Sequence, residues 1–349
     1  MSRTDRRTPR RVSAASPRRQ AALLTVAVLL GAGAITSPLA AQDHARAPAD
    51  DDEPTLEEWT VPWENTRPRD PFVGPDGTVW FVGQQGDYVG ALDPASGDFR
   101  RYDLPAGAGP HNLVVAPDGT VWYTGNRARH LGRLDPATGD IEPFELPDER
   151  ARDPHTLVFD RQGGLWFTVQ GGNFVGHFDP STGDFRLIEA PQVEGSRRGS
   201  SSRPYGIKMD SHDRPWVALF NTNALAMVDP ATYELVVHRL PDERSRPRRL
   251  VIDSQDRIWY VDYALGQLGR FDPATGEVKE WPNPSGPGSR PYGVEIDDAD
   301  RVWFVETGPD PNVFVGFDTR TEKVISAVPV PSGGGTIRHM FFDARTNSI

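Results

Sequence analysis

Residues 110–139 read PHNLVVAPDGTVWYTGNRARHLGRLDPATG, and close variants of this string return along the chain. Aligned on Trp122, the pattern recurs at Trp80, Trp166, Trp216, Trp259 and Trp303, at intervals of 42, 44, 50, 43 and 44 residues. Six residues before each Trp stand Gly74, Ala116, Asp160, Asp210, Asp253 and Asp297, each opening a polar turn. Six further upstream is a proline every time: Pro68, Pro110, Pro154, Pro204, Pro247 and Pro291. An Asp that opens a second turn follows each Trp: Asp93, Asp135, Asp179, Asp229, Asp272 and Asp318. Self-similarity at this period is the signature of a repeat architecture, so it is weighed before any local propensity.

Within the quoted unit and just past it, four runs are separated by Gly, Pro and Asp turns: Leu113–Val115, Val121–Tyr123, Leu131–Leu134 and Ile141–Leu146. Short apolar or alternating runs with such punctuation read as strands. Forty-odd residues carrying four strands make one propeller blade. The 50-residue unit carries its extra length in Gln192–Ser202, a Ser/Gly/Arg-rich loop. At the chain ends, Glu57–Pro62 resembles a fourth strand such as Glu145-Leu146-Pro147, and Ile337–Asp343 begins a further unit that stops at Ile349. Together they predict a seven-bladed β-propeller of four-stranded antiparallel blades. Its seventh blade is closed by the N-terminal strand and left incomplete at a truncated C-terminus. A six-bladed ring would leave Glu57–Pro62 without a partner.

The first 41 residues hold seven Arg against one Asp, then the apolar run Ala21–Ile35, then Ser37-Pro38-Leu39-Ala40-Ala41. A cationic start, a short apolar run and a small-residue exit read as a signal peptide, and the run is short for a membrane span. Residues 42–55 are Pro/Ala/Asp-rich and read as a disordered lead-in to a single propeller domain over 56–349. The expected location is the periplasm or the exterior, with no membrane contact after cleavage. The formal charge of −11 becomes about −17 without the leader, which argues against nucleic acid as a partner. A monomer acting on a small molecule is expected. The chain has no cysteine, hence neither a disulfide framework nor a cysteine metal set.

In a propeller the first strand of each blade lines the central channel, and function collects at one mouth. The residue after the repeat proline therefore forms a ring: Arg69, His111, His155, Tyr205, Arg248 and Tyr292, then Arg338 or His339. The next column adds Asp70, Asn112, Thr156 and Arg249. Loops after the Trp strand bring Gln84, Gln85, Asn126, Arg127, Gln170, Asn173, Asn221, Asn223, Asp262, Tyr263, Glu306 and Asp310 toward the same end. Two His in adjacent blades could supply a general base or hold one divalent ion, against the plainer role of channel filler. The Arg residues would suit a carboxylate, an oxyanion or a phosphate, against the plainer role of surface ion pairing. The Asp-Pro-x-Thr-Gly columns are turn formers, and Glu306 and Asp310 read as solvated loop residues.

With Pro110-His111-Asn112-Leu113, Pro204-Tyr205-Gly206-Ile207, Pro291-Tyr292-Gly293-Val294, Trp166-Phe167-Thr168 and Leu131-Gly132-Arg133-Leu134, the repeat resembles that of the virginiamycin B lyase (streptogramin lyase) family. The resemblance implies seven blades and a Mg²⁺-dependent elimination that opens a cyclic depsipeptide at its ester bond. It assigns catalysis to His111 and His155 and the metal to Asp153 and His155. Arg69, Asn112, Gln170, Tyr205, Arg248, Tyr292 and Arg338 are then the candidates for contacting substrate. Gln170 stands where the family carries Glu, and a neutral amide neither anchors a cation nor takes a proton as a carboxylate does. The His pair also sits in the second and third units, where the family has it in the last two. Two readings therefore stand side by side, a carbon–oxygen lyase and a non-catalytic small-molecule or protein binding propeller. A lactonase-like hydrolase is a third, needing channel carboxylates that this mouth lacks.

Overall fold

The structure is a computed structural model that describes residues 54–193 and 201–349. The expected leader, nearly all of the expected lead-in, and most of the Gln192–Ser202 loop lie outside the described residues. Within Trp59–Ile349 the chain forms six four-stranded antiparallel sheets, each laid down in chain order from its inner to its outer strand. The quoted unit becomes blade 2, with strands Pro110–Val115, Val121–Gly125, His130–Leu134 and Ile141–Glu145, within a few residues of the sequence reading. The inner strands of blades 1 to 6 start at Pro68, Pro110, Pro154, Pro204, Pro247 and Pro291, and each adjoins the next.

The repeat columns have physical explanations. Tryptophans 166, 216 and 259 are at most 1% exposed and fill the seams between blades. Each indole N–H of Trp216, Trp259 and Trp303 donates to the carboxylate six residues upstream, at 2.8–3.0 Å. The same Asp accepts from an Arg four residues after it, as Arg257 Nε does to Asp253 at 2.6 Å. One carboxylate thus satisfies a buried donor and closes a turn, which is what a buried Trp requires. The Gly of the third strand meets an aromatic ring across the sheet: Phe167 pairs with Gly176, where an added Cβ would lie 2.2 Å from Phe167 Cζ. Only a residue without a side chain leaves room for that ring.

The blade count departs from the sequence expectation: there are six blades, not seven. Residues 57–62 form no strand, and Trp59, Val61 and Trp63 instead pack against Phe81, Tyr88 and Leu92 of blade 1. Nor does Ile337–Asp343 form a strand, and no described strand pairs with it. This segment lies along the seam between blades 6 and 1. The Ile337 carbonyl accepts from Gly293 N at 3.3 Å, Met340 is buried, and Phe341 packs at a tilt on Phe72, ring centroids 4.2 Å apart. Arg345 Nη1 donates to the Pro75 carbonyl at 2.7 Å. The tail therefore fills the place a seventh blade's inner strand was expected to hold, without building a sheet.

Candidate functional site

Every inner strand has a register irregularity close behind its repeat proline, as at Pro110/Leu113 and Pro204/Ile207. A bulge re-aims side chains, and here it turns the residue after the proline toward the axis. The residue before the proline also has positive φ in five blades: Arg67 (53°), Gly109 (52°), Asp153 (65°), Arg203 (52°) and Arg290 (45°). Non-glycine residues held there are strained, and such strain collects at functional sites. Together these features form a mouth cavity of about 260 Å³. Its wall includes Arg69, His111, His155, Tyr205, Arg248, Tyr292 and Arg338, the whole predicted ring with Arg338 taking the seventh place.

His111 and His155 lie together, ring centroids 3.7 Å apart. His111 Nδ1 sits 3.1 Å from the His155 carbonyl, which can only accept, so the proton is on Nδ1 and Nε2 carries a lone pair. His155 Nδ1 lies 2.8 Å from Thr156 Oγ1. The Thr two residues after the Trp braces the next inner strand: Thr124 Oγ1 donates to the His155 carbonyl at 3.2 Å and Thr168 Oγ1 to the Tyr205 carbonyl at 2.7 Å. Burial, reinforced by neighbouring charges of Arg69 and Arg249, drives both imidazoles well below the usual His range, so both are neutral.

Beneath this layer the second column forms a buried network. Asp70 accepts from Arg69 Nε at 3.0 Å, Arg249 Nη2 at 3.2 Å and Asn112 Nδ2 at 3.1 Å, joining blades 1, 5 and 2 across the axis. Burial alone would raise the Asp70 carboxyl, but Arg69 and Arg249 overturn that and hold it well below the usual carboxylate range. Asn112 is thus a brace below the mouth, its Oδ1 accepting from Leu157 N at 2.8 Å, and does not line the cavity. The seam tail enters here as well, because the half-buried His339 feels the charges of Arg249 and Asp70. Opposite, the Tyr205 and Tyr292 hydroxyls are hydrogen-bonded, and Arg248 Nη2 reaches Tyr205 Oη at 3.3 Å. The Arg248 guanidinium lies over the Tyr292 ring at 3.4 Å and near Tyr205, Phe220 and Tyr263.

Of the post-Trp loops, Gln84, Asn126 and Gln170 line the cavity. Asn173 and Asn223 instead tie down their own blades by donating to the Ala190 and Leu240 carbonyls. Glu306 is fully buried, accepting from Ser285 N at 3.0 Å, which corrects its reading as a solvated loop residue. Arg67, Arg203 and Phe220 also line the mouth and were missed. Arg67 and Arg203 had a signal, because they precede the repeat proline as Asp153 does.

The donor set does not fit a divalent cation. Among the described residues no group of three or more His, Asp and Glu side chains is placed to hold a metal. Asp153 is the one carboxylate among the residues that form the wall, and Asn126 Nδ2 donates to it. Burial raises its pKa to about 6, against the lowering effects of Asn126 and Arg203. Gln170, where the resemblance expects a Glu, accepts from Arg203 Nη2 at 3.1 Å. Among the described residues, five guanidinium groups, of Arg67, Arg69, Arg203, Arg248 and Arg338, share the wall with this one acid.

A model of the virginiamycin B lyase family matches residues 49–228, just over half of the chain. Among solved structures, selenomethionine-substituted virginiamycin B lyase from Staphylococcus aureus is similar at 24% identity and TM-score 0.70, over 80% of this chain and 89% of that one. A streptogramin B lyase structure gives 22% identity and TM-score 0.72, over 82% and 90%. A catalytically inactive His-to-Ala variant of the S. aureus enzyme with quinupristin gives 24% and 0.71, over 81% and 92%. At these identities the solved structures speak for the fold alone. No curated protein matches. On the family match, the chain belongs to the virginiamycin B lyase family.

Proposed function

We propose that this protein binds a small organic molecule in the channel mouth, and does so without a divalent cation. The observation that carries the reading is the composition of the wall, where among the described residues one half-buried carboxylate stands with five arginines and Gln170 occupies the position where the resemblance expects Glu. A Mg²⁺ ion there would face net positive charge, with the Asp153 carboxylate as the sole anionic ligand among the described wall residues. The cavity of about 260 Å³ lies at the lower edge of the usual range for small-molecule pockets, roughly 300–1,000 Å³. Calorimetry and thermal shift against a panel of small metabolites, with Mg²⁺ and with a chelator, test the reading. Binding that is insensitive to the chelator and lost in His155→Ala supports it. Binding that appears only with Mg²⁺ contradicts it.

A second reading keeps chemistry at the same place. The His111 tautomer leaves Nε2 as a lone-pair acceptor, within a wall whose arginines could steady a developing oxyanion. Ring opening of a type B streptogramin, followed with and without Mg²⁺ in the native protein and His111→Ala, tests it. Turnover that needs His111 supports elimination, and absence of turnover under both conditions removes it.

A further inference from the structure

The charge balance of the mouth narrows the ligand class. Among the described residues, Arg67, Arg69, Arg203, Arg248, Arg249 and Arg338 stand around the axis, six guanidinium groups against two carboxylates, Asp70 and Asp153. Asp70 is shared between Arg69 and Arg249, so one negative charge serves two buried positive ones. Among the described residues Arg248 has no carboxylate partner, only the Tyr205 hydroxyl and aromatic faces. Three buried guanidinium nitrogens, Arg69 Nη2, Arg248 Nε and Arg249 Nε, have no hydrogen-bond partner among the described residues. Arg69 is itself 92% buried and lines the cavity, its exposure being 8%. Unpaired buried charge and unmet donors are costly to a fold. A site that retains them in a protein of net charge −11 is matched to something that supplies the missing charge.

We infer that the mouth takes a small polyanion, an organic molecule carrying two or more carboxylate or phosphate groups, with Arg69 and Arg248 receiving its acidic head. This deepens the proposed small-molecule reading and rests on it. Guanidinium groups favour these oxyanions because their planar donor pairs match two oxygens at once. The crowding at the rim agrees, since burial and the charges of Arg338 and Arg69 lower the pKa of Arg67. A ligand bridging the rim and Arg69 would relieve that repulsion. The cavity volume sets the scale at a small metabolite.

Calorimetry on the purified chain tests the class. Propane-1,2,3-tricarboxylate and propane-1,3-diol bisphosphate are compared with acetate and with the neutral propane-1,2,3-tricarboxamide. The expected result is that at least one polyanion binds ~10-fold or more tightly than acetate, while the amide shows no saturation. Its affinity falls several-fold between 50 and 200 mM salt. The tricarboxylate and phosphate arms tell the two head groups apart. Arg248→Met should weaken binding ~10-fold or more, and Arg67→Ala, at the exposed rim, several-fold with the fold intact. Arg320→Ala, on an exposed turn beside Asp318, should change nothing. Equal binding of the amide, or an affinity untouched by both Arg67→Ala and Arg248→Met, overturns the polyanion class while leaving a small-molecule site standing. Failure of every polyanion to bind the folded protein at millimolar concentration also overturns the class. If neutral metabolites fail too, the proposed function falls with it.

Discussion

Asp153 sits half-buried at the mouth with its carboxyl pKa raised by burial from 3.8 to about 6, so an Asp153→Asn variant should reveal what that ionisation costs the fold. Between those two pH values the folded protein binds the proton more tightly than the unfolded chain does. Native stability therefore declines as pH rises through the window, and the penalty is complete above pH 6. A shift of about two units corresponds to about 3 kcal/mol at 1.36 kcal/mol per unit. Solvent reaching a half-buried group trims this to about 1–2 kcal/mol. Asparagine removes the charge, tolerates the φ of 65°, and keeps an oxygen to accept from Asn126. Urea unfolding of both proteins at pH 4 and pH 7.5 measures the effect. The expected outcome is near-equal midpoints at pH 4 and a variant about 1–2 kcal/mol more stable at pH 7.5. A difference that does not change with pH, or a variant less stable at pH 7.5, would refute the reasoning.

Three further outcomes follow from the packing. Asp70→Asn leaves Arg69 and Arg249 buried without their shared counter-charge and should cost about 3–5 kcal/mol, read by chemical denaturation. Gly176→Ala places a methyl 2.2 Å from Phe167 Cζ and should cost several kcal/mol, well beyond the ordinary surface range of about ±0.5 kcal/mol. Met340→Ala opens the seam between blades 6 and 1 at a cost of about 2–5 kcal/mol. Hydrogen exchange should then quicken in the inner strands Pro68–Val73 and Pro291–Ile296 before those of blades 3 and 4.

The blade and its repeat were legible because the Trp, Pro and Asp columns each answer to a local requirement: a seam filler, a strand start and a turn closed by its own carboxylate. The number of blades was not legible at the ends. Glu57–Pro62 and Ile337–Asp343 carry strand-like patterns, but a strand exists only where a neighbour pairs with it, and pairing is not a property of the segment. Trp59 and Trp63 found an apolar face on blade 1, and Met340 and Phe341 found the seam.

The His pair was legible because both residues occupy one column in adjacent blades, and that column bulges inward. The charge balance was not. Arg67 and Arg203 precede the repeat proline, and only their unusual φ turns them to the mouth. Asp70 and Arg249 lie 179 positions apart, joined only by ring closure. Glu306 looked like a loop acid because no sequence pattern announces that Ser285 reaches over to satisfy it.

Diffraction from crystals grown with both Mn²⁺ and propane-1,2,3-tricarboxylate tests the central claim most directly. Ligand density hydrogen-bonded to Arg69 and Arg248 is expected, with no anomalous peak among His111, Asp153 and His155. A manganese peak between Asp153 and His155, with the arginines left empty, would contradict it.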